Sequence, residues 1–499
     1  MSTVPLTGDA AARQRRILGR LLFLVAAVAF GYFIASLGWN GSSRLALTLA
    51  VVDHGELNID RYHVSKWLPT QDKSFSQGHF YSDKAMGLSL LSVVPYVVAR
   101  PVFAADPDDR RRLRLVGHWL AFVNVVCPAA LCLALLFHLA WRGGATPKAA
   151  LFPAIAIGFA SPIWSFASTF FGHVAAGAWL FFTFLVLRRM RTGPETISSR
   201  GLFFVGLSGA IALIIEYPVA PIVVLLAVYA CFVLREHGRL KDWRLLAAAV
   251  AGAAIPLGIL LCYNTACFGS PWRLSYQMLA NTGFREVHAH GIVGVGVPSL
   301  KTLVYITIHP VRGLFAHSPV LLLVFPGLWL MWKRADWRAE AVLIATALAA
   351  LVAINSGFPV WWGGGSSHAR HLVPVLFLLG VPLAFLPKPW RMANCVLLAV
   401  SVAQTILVVL TGPLSSDARL TAFLRSAASD RWIPVTGFSP IYDDAIASLL
   451  AGKFRSNLLS IIGVPSLPSL IPWVLVEGIL LFLLLRNIRR QPAEGETAL

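Results

Sequence analysis

Apolar runs recur along almost the whole chain and are separated by short polar segments that carry most of the charge. Many of these runs approach the ~20 residues that a helix needs to cross the hydrocarbon core of a bilayer. The pattern therefore predicts an all-α polytopic membrane protein with about twelve transmembrane helices. The predicted spans are residues 17–39, 115–141, 149–165, 173–187, 201–215, 218–234, 245–262, 318–332, 341–356, 372–386, 392–410 and 470–485.

A further apolar run, residues 85–105, is predicted not to cross the membrane. It is interrupted by Pro95 and Pro101, and if it crossed, every later basic loop would change sides. We place it as a juxtamembrane helix at the outer leaflet. As a consequence, the basic cluster at residues 110–114 is expected on the outer face.

In this arrangement most basic loops fall on one side, which the positive-inside rule identifies as cytoplasmic. Both termini are then predicted to be cytoplasmic, in a multi-pass protein of the cell inner membrane. The chain is predicted to form a single integral membrane domain, residues 1–499. The active face is expected to be extracytoplasmic, where the predicted loops are residues 40–114, 263–317, 359–371 and 411–468.

The composition supports the same class, because 57% of the residues are hydrophobic and only 13% are charged. The formal net charge of +19 is distributed over short loops rather than along one soluble face. We therefore expect membrane lipids, and no nucleic acid, among the partners.

Charged and histidine side chains that could take part in a reaction are most concentrated in the polar stretch at residues 39–84. It ends with Asp83 and Lys84, where a polar loop meets an apolar run. A lysine in that position can hold a phosphate while the neighbouring aspartate accepts a proton. The alternative is ordinary interfacial charge, in which the lysine reaches towards headgroups and the aspartate accepts from helix N-terminal amides.

The order of segments here resembles a known superfamily. Arg44 lies in a predicted amphipathic helix that ends at Gly55 and Glu56, and Lys-Ala-Met-Gly-Leu at 84–88 opens the next apolar run. This order is similar to GT-C membrane glycosyltransferases, in the branch of protein O-mannosyltransferases and lipid A aminoarabinose transferases. The resemblance implies a GT-C-like fold, a polyprenyl-phosphate-linked sugar donor and catalysis at the extracytoplasmic surface. Arg44 and Lys84 are assigned to the donor phosphate.

The chain departs from the GT-C pattern at the general base. The aspartate that the family usually places a few residues before the arginine is replaced here by Asn40-Gly41-Ser42. The base is therefore expected among the nearest carboxylates, which are Asp83, Asp53 and Glu56.

Two later segments are predicted to bind sugar or phosphate. Trp361 and Trp362 precede a glycine run that leads to Arg370 and His371, which resembles a Trp-Trp-Gly-Gly…Arg-Tyr segment of the same superfamily. Indole faces can stack on sugar rings and an arginine can bind a phosphate bidentately. The alternative is an aromatic belt with a snorkelling arginine. The second segment is residues 309–319, where another predicted outer loop re-enters the bilayer. Its Arg312 is a further candidate for binding phosphate.

His173 and Glu216 are the remaining substrate-binding candidates. Glu216 lies at the outer end of a predicted span, where an ionisable group is costly and usually has a partner or a function. His173 follows an aromatic-rich helix end, and its alternative role is that of a packed interfacial side chain.

The spacing of two pairs of histidines is compatible with a divalent metal site. His288 and His290 alternate, and His368 and His371 lie one helical turn apart. The chain has no HExxH motif and no CxxC pair, so no metal ligands and no cofactor are assigned.

Together these features predict a hexosyl- or pentosyltransferase that moves a sugar from a polyprenyl phosphate to a lipid, glycan or protein acceptor. A flippase or transporter for lipid-linked saccharides is the alternative from another class, and it should place polar groups near the bilayer midplane and show inverted repeats. A ligase or polymerase of preassembled glycans would share most of these features.

Overall fold

The computed structural model describes residues 8–289, 291, 294–413, 439–465 and 467–489. In these parts the chain is mostly helical, and strands occur only as one antiparallel hairpin. Residues 414–438 and 466 of the predicted outer loop 411–468 lie outside the described residues, and so does His290.

The hairpin lies in the polar stretch and corrects the expectation of an all-α chain. Its strands are β1 (Lys73–Ser76) and β2 (His79–Ser82). Gln77 and Gly78 form the turn with φ angles of 52° and 84°. Two successive residues with positive φ are what a two-residue hairpin loop requires, and glycine adopts that conformation without strain.

Four helices surround the hairpin in sequence. They are α1 (Gly8–Gly31), α2 (Gly38–His54), α3 (Gly87–Leu91) and α4 (Val93–Ala99). The predicted span 17–39 is therefore wrong at its C-terminal end. The chain leaves the helix there because Phe33 forms a bridge with Asn457 and Ser36 forms one with Thr169.

The remaining helices follow one another along the chain and are joined by turns and loops. Their bounds are α5 (Arg110–Ala121), α6 (Cys127–Arg142), α7 (Pro147–Phe159), α8 (Pro162–Ala167), α9 (Gly172–Thr192), α10 (Ser199–Ile215), α11 (Ala220–Glu236), α12 (Trp243–Phe268), α13 (Thr282–His288), α14 (Leu300–Thr307), α15 (Leu314–His317), α16 (Val324–Lys333), α17 (Arg338–Ser356), α18 (Leu376–Leu383), α19 (Lys388–Ala393), α20 (Cys395–Thr411), α21 (Ile446–Leu450), α22 (Leu458–Ile461) and α23 (Leu470–Arg489). The π-helical segment Phe122–Val126 joins α5 to α6.

Several predicted boundaries are corrected by these helices. The basic cluster 110–114 belongs to α5 rather than to the loop 40–114, because the Asp109 side chain caps the helix by accepting from the amides of Arg111 and Arg112. Residues 263–268 extend α12 into the predicted loop 263–317.

Within the part of the chain that the structure describes, five helical segments are long and apolar enough to cross a membrane, judged by length and composition. They are Arg110–Arg142, Tyr217–Glu236, Trp243–Phe268, Arg338–Ser356 and Leu470–Arg489. Shorter apolar helices of 10–17 residues cover further predicted spans. The chain is thus a membrane protein with several apolar helices, and the total of about twelve spans stays a prediction.

Two charged clusters lie at opposite ends of α9. At its C-terminal end, Arg188 Nη1 is 2.8 Å from Glu340 Oε1 and Arg191 Nη1 is 2.6 Å from Glu340 Oε2. At its N-terminal end, His173 Nδ1 is 3.3 Å from Glu216 Oε1. A helix of 21 residues separates its ends by roughly 30 Å, so the two clusters lie about one hydrocarbon thickness apart.

Candidate active site

Lys84 lies between two carboxylates directly after the hairpin. Its Nζ is 3.1 Å from Asp72 Oδ2, 3.2 Å from Asp83 Oδ1 and 3.3 Å from Asp83 Oδ2. The Asp83 side chain is only 2% exposed, and the Lys84 side chain 12%. The structure therefore places the predicted acid and base side by side in a setting with little water.

Serine hydroxyls fix the backbone of this segment. Ser275 Oγ donates to the Asp83 carbonyl at 2.7 Å, and Ser74 Oγ donates to the Ser275 carbonyl at 2.7 Å. On the other side, the hydroxyls of Ser43 and Ser82 are 2.7 Å apart. The hairpin is thereby tied to α2 and to the segment after α12, and the position of Lys84 depends on all three.

The environment separates the protonation behaviour of the two neighbours. Burial raises the pKa of the Asp83 carboxyl to about 7, although the Lys84 charge opposes the shift. Burial by itself would lower the pKa of the Lys84 ammonium, but the carboxylates of Asp72 and Asp83 outweigh it and move that pKa upwards. Lys84 is thus a permanent cation, while Asp83 changes charge near neutral pH.

Arg44 is almost completely buried, and its guanidinium bonds to protein groups. Its Nη2 donates to Glu216 Oε1 at 2.7 Å, its Nε to Asn40 Oδ1 at 3.0 Å and its Nη1 to the Ala85 carbonyl at 2.7 Å. The last bond joins α2 to the residue directly after Lys84. Arg44 therefore holds the backbone beside the site, and Glu216 is its counter-ion.

His173 shares the Glu216 carboxylate with Arg44 and packs against His371. The His173 and His371 ring centroids are 5.5 Å apart. The Nε2 atoms of both rings are buried and have no hydrogen-bond partner among the described residues. Two buried polar atoms without a protein partner are suited to hydroxyl groups of a ligand.

Arg370 differs from Arg44 because its buried Nε has no hydrogen-bond partner among the described residues. Its Cζ lies over the Phe171 ring at 5.5 Å from the centroid. The group is close enough to interact electrostatically with Asp72, Glu216 and Lys84. An arginine held in this way can receive a phosphate.

Arg312 shapes the glycine-rich segment that carries Arg370. Its Nε donates to the Trp362 carbonyl at 3.0 Å and its Nη2 to the Gly364 carbonyl at 3.3 Å. Trp361 stacks on Tyr305 with ring centroids 5.2 Å apart and is 9% exposed. One face of the Trp361 indole is therefore already covered by protein.

The structure does not bring Asp53 or Glu56 to this cluster. Asp53 accepts from the hydroxyls of Tyr62 and Tyr96 and pairs with Arg100 at 3.0 Å. Glu56 lies 3.7 Å from Arg61 and is 35% exposed. Of the three carboxylates proposed as the base, only Asp83 contacts Lys84.

Two residues of the cluster escaped the sequence analysis. Asp72 is buried against Lys84, and Tyr276 interacts electrostatically with Lys84 and stacks on His288, with ring centroids 5.4 Å apart. Burial raises the pKa of Tyr276 to about 12, so it stays a hydroxyl donor. Asp72 could have been found in the sequence as an acid directly before the first strand of the hairpin, whereas nothing in the sequence marks Tyr276.

No group of three or more His, Cys, Asp or Glu side chains among the described residues is arranged to hold a metal ion. His368 lies instead against His317, with their Nδ1 atoms 3.0 Å apart. His290, the second member of the predicted alternating pair, lies outside the described residues.

No protein-family model and no curated protein matches the chain. It is similar to solved structures of ArnT from Cupriavidus metallidurans. The structure bound to undecaprenyl phosphate shares 15% identity at a TM-score of 0.49, covering 98% of this chain and 79% of the other. The apo structure shares 17% identity at a TM-score of 0.49, covering 96% and 78%.

A third similar structure is the arabinosyltransferase EmbB from Mycobacterium smegmatis. It shares 12% identity at a TM-score of 0.43, and the match covers 98% of this chain and 42% of that one. Because all three TM-scores are below 0.5, the roles of individual residues rest on the contacts within this chain.

Proposed function

We propose that the protein is a membrane glycosyltransferase that takes a sugar from a polyprenyl phosphate and passes it to a hydroxyl-bearing acceptor at the extracytoplasmic face of the inner membrane. The observation that carries the proposal is the grouping of two cations, Lys84 and Arg370, with one carboxyl group, Asp83, whose pKa is near 7. Cations that can meet a phosphate beside a group that can take a proton are what such a transfer needs.

In the proposed reaction the acceptor oxygen forms a bond to the anomeric carbon, and the bond from that carbon to the phosphate oxygen breaks. The electron pair leaves with the lipid phosphate, where Lys84 and Arg370 stabilise the developing charge. Asp83 takes the proton from the acceptor hydroxyl. A carboxyl group with a pKa of about 7 is efficient here because its ionised form is both populated and basic at neutral pH.

The other predicted residues receive supporting roles in this proposal. Arg44 and Arg312, first assigned to the donor phosphate, bond to protein groups and position the two segments that carry Lys84 and Arg370. His173 and His371 are proposed to meet hydroxyls of the sugar through their buried Nε2 atoms.

The proposal is tested with purified protein in liposomes that contain a radiolabelled polyprenyl-phosphate sugar and acceptor extract. Lys84→Met and Arg370→Met should each lower the transfer rate by about 10²-fold or more. Lys453→Met, which removes an exposed lysine, should leave the rate unchanged. Transfer that persists in both site variants contradicts the proposal, and movement of the lipid across the bilayer without transfer favours the transporter.

A further inference from the structure

The side chain of Arg370 lies against the start of the glycine-rich segment, residues 363–371. A Cβ atom on Gly363 would come within 2.9 Å of both Cγ and Nε of Arg370. Gly363 has a φ angle of 69°, which glycine adopts without strain. The segment therefore folds back on itself, and the place of the Arg370 guanidinium depends on how the backbone between these two residues is held.

His368 lies at the centre of this turn. Its carbonyl accepts from the Arg370 amide at 2.8 Å and from the Ser366 hydroxyl at 2.8 Å. Beside it, the Ser367 amide donates to the Pro413 carbonyl at 2.8 Å. The His368 side chain is buried, so its imidazole needs hydrogen-bond partners inside the protein.

The His368 imidazole has one such partner on each side. Its Nδ1 lies 3.0 Å from His317 Nδ1, and its Nε2 lies 3.4 Å from Ser165 Oγ. His317 Nε2 in turn lies 2.6 Å from the Pro310 carbonyl. This chain of contacts joins α8, the glycine-rich segment and α15, which are distant from one another in sequence.

The chain of contacts has a direction, because both rings are neutral. Burial lowers the pKa of His317 to about 4 and moves the pKa of His368 well below its usual range, so each ring carries one N–H at neutral pH. The Pro310 carbonyl can only accept, so His317 donates from Nε2 and accepts at Nδ1. His368 then donates from Nδ1 and accepts the Ser165 hydroxyl at Nε2. Each ring is thereby held in one tautomer and one orientation.

We propose that His368 and His317 are positioning residues that set the place of the Arg370 guanidinium, and that Ser165 fixes the far side of the pair. These three residues are 1%, 1% and 0% exposed, so they act through the backbone that joins His368 to Arg370. This proposal rests on the function proposed above, in which Arg370 meets the donor phosphate. A displacement of about 1 Å at such a contact can cost about 10²-fold in rate.

The test measures kcat/KM for a radiolabelled polyprenyl-phosphate sugar with full-length protein in liposomes and acceptor extract. His368→Leu removes both ring contacts and should lower kcat/KM by about 10-fold or more. His368→Asn keeps a donor near the place of Nδ1 and should restore most of that loss. His54→Leu, which removes an exposed histidine at the end of α2, is the control and should leave kcat/KM unchanged.

A double-variant cycle with Arg370→Met separates positioning from a general loss of structure. In the Arg370→Met protein, adding His368→Leu should change kcat/KM by less than about twofold, because the group that His368 positions is gone. Ser165→Ala removes one hydroxyl and little volume, and it takes the place of His368→Leu in the cycle if that variant does not fold.

The same loss from His368→Leu in both backgrounds overturns the proposal, since the histidine would then act independently of Arg370. Unchanged kcat/KM in His368→Leu overturns it as well. Full activity in Arg370→Met has a different meaning: it contradicts the proposed function itself, and with it this role of the histidines.

Discussion

The side chains of the candidate site carry charge where water is scarce, so each charge needs a partner or a ligand. Arg44 has a carboxylate, an amide oxygen and a carbonyl as acceptors. The buried Nε of Arg370 has no partner among the described residues. This contrast separates an arginine that stabilises the protein from one that is available to a phosphate, although both look alike in the sequence.

The pKa of Asp83 predicts how the transfer rate depends on pH. Its pKa of about 7 means that the carboxyl is mostly protonated below neutral pH and cannot accept a proton. We expect the transfer rate at saturating donor to rise with pH through about 7 and then to level off. Asp83→Asn should lower the rate by about 10²-fold or more and remove this dependence. An Asn variant that keeps the rise would assign it to another group.

The Arg44–Glu216 ion pair predicts how substitutions of either residue change the stability of the protein. Breaking a buried pair by removing one partner costs about 3–5 kcal/mol, because the other charge stays buried without compensation. Arg44→Met and Glu216→Gln should therefore each lower the thermal stability in detergent, and the double variant should lose less than the sum.

The pair also separates two roles for Arg44. A positioning role predicts that the loss of stability and the loss of activity occur together and that both are partly restored in the double variant. If the Arg44→Met protein is stable but has a raised KM for the donor, Arg44 binds the donor phosphate, as the sequence analysis predicts.

At the scale of elements, α10 and α12 pack closely because glycines lie at their contact. A Cβ on Gly206 would overlap the Ala249 carbonyl, and one on Gly252 would overlap the Phe203 carbonyl. Small residues let helix backbones approach in a membrane, where the hydrophobic effect does not drive association. The α10–α12 contact in turn places Glu216, the residue after α10.

We predict that Gly206→Ala lowers the free energy of unfolding by about 1–3 kcal/mol, since a methyl group has no space against a neighbouring backbone. Gly209→Ala on the same helix is the matched control, because its Cβ would meet only Val223 Cγ1 at 3.6 Å. Thermal melts of both variants in one detergent decide the matter. Equal melting temperatures would show that the helices separate at little cost.

For the whole molecule, α9 joins a cluster of arginines at one end to the candidate site at the other. Its Arg188 and Arg191 meet Glu340, and its His173 meets Glu216. The positive-inside rule then predicts that the arginine end is cytoplasmic and the site extracytoplasmic.

This orientation predicts the labelling of single cysteines by a membrane-impermeant maleimide in spheroplasts. Val297→Cys should react in intact spheroplasts because it lies in the predicted extracytoplasmic loop 263–317 and is 90% exposed. Arg239→Cys, on the arginine side and 45% exposed, should react only after permeabilisation. The reverse pattern would place the site in the cytoplasm.

The sequence by itself determined the class of protein, because apolar runs of membrane length and basic loops reflect transfer free energies that hold in any fold. It also predicted Lys84, Asp83 and Arg370 as candidate site residues, which the structure places near one another. The residues at which helices end could not be predicted from the sequence alone. The first helix stops at Gly31 because distant segments pair with Phe33 and Ser36.

Only the tertiary structure decided which charges meet. Asp53, Glu56 and Asp83 are similar carboxylates in one polar stretch, yet only Asp83 reaches Lys84, together with Asp72. Glu216 finds Arg44 across 172 positions of the chain. Such pairings depend on how helices pack and on which groups lose their water, and neither quantity is local in sequence.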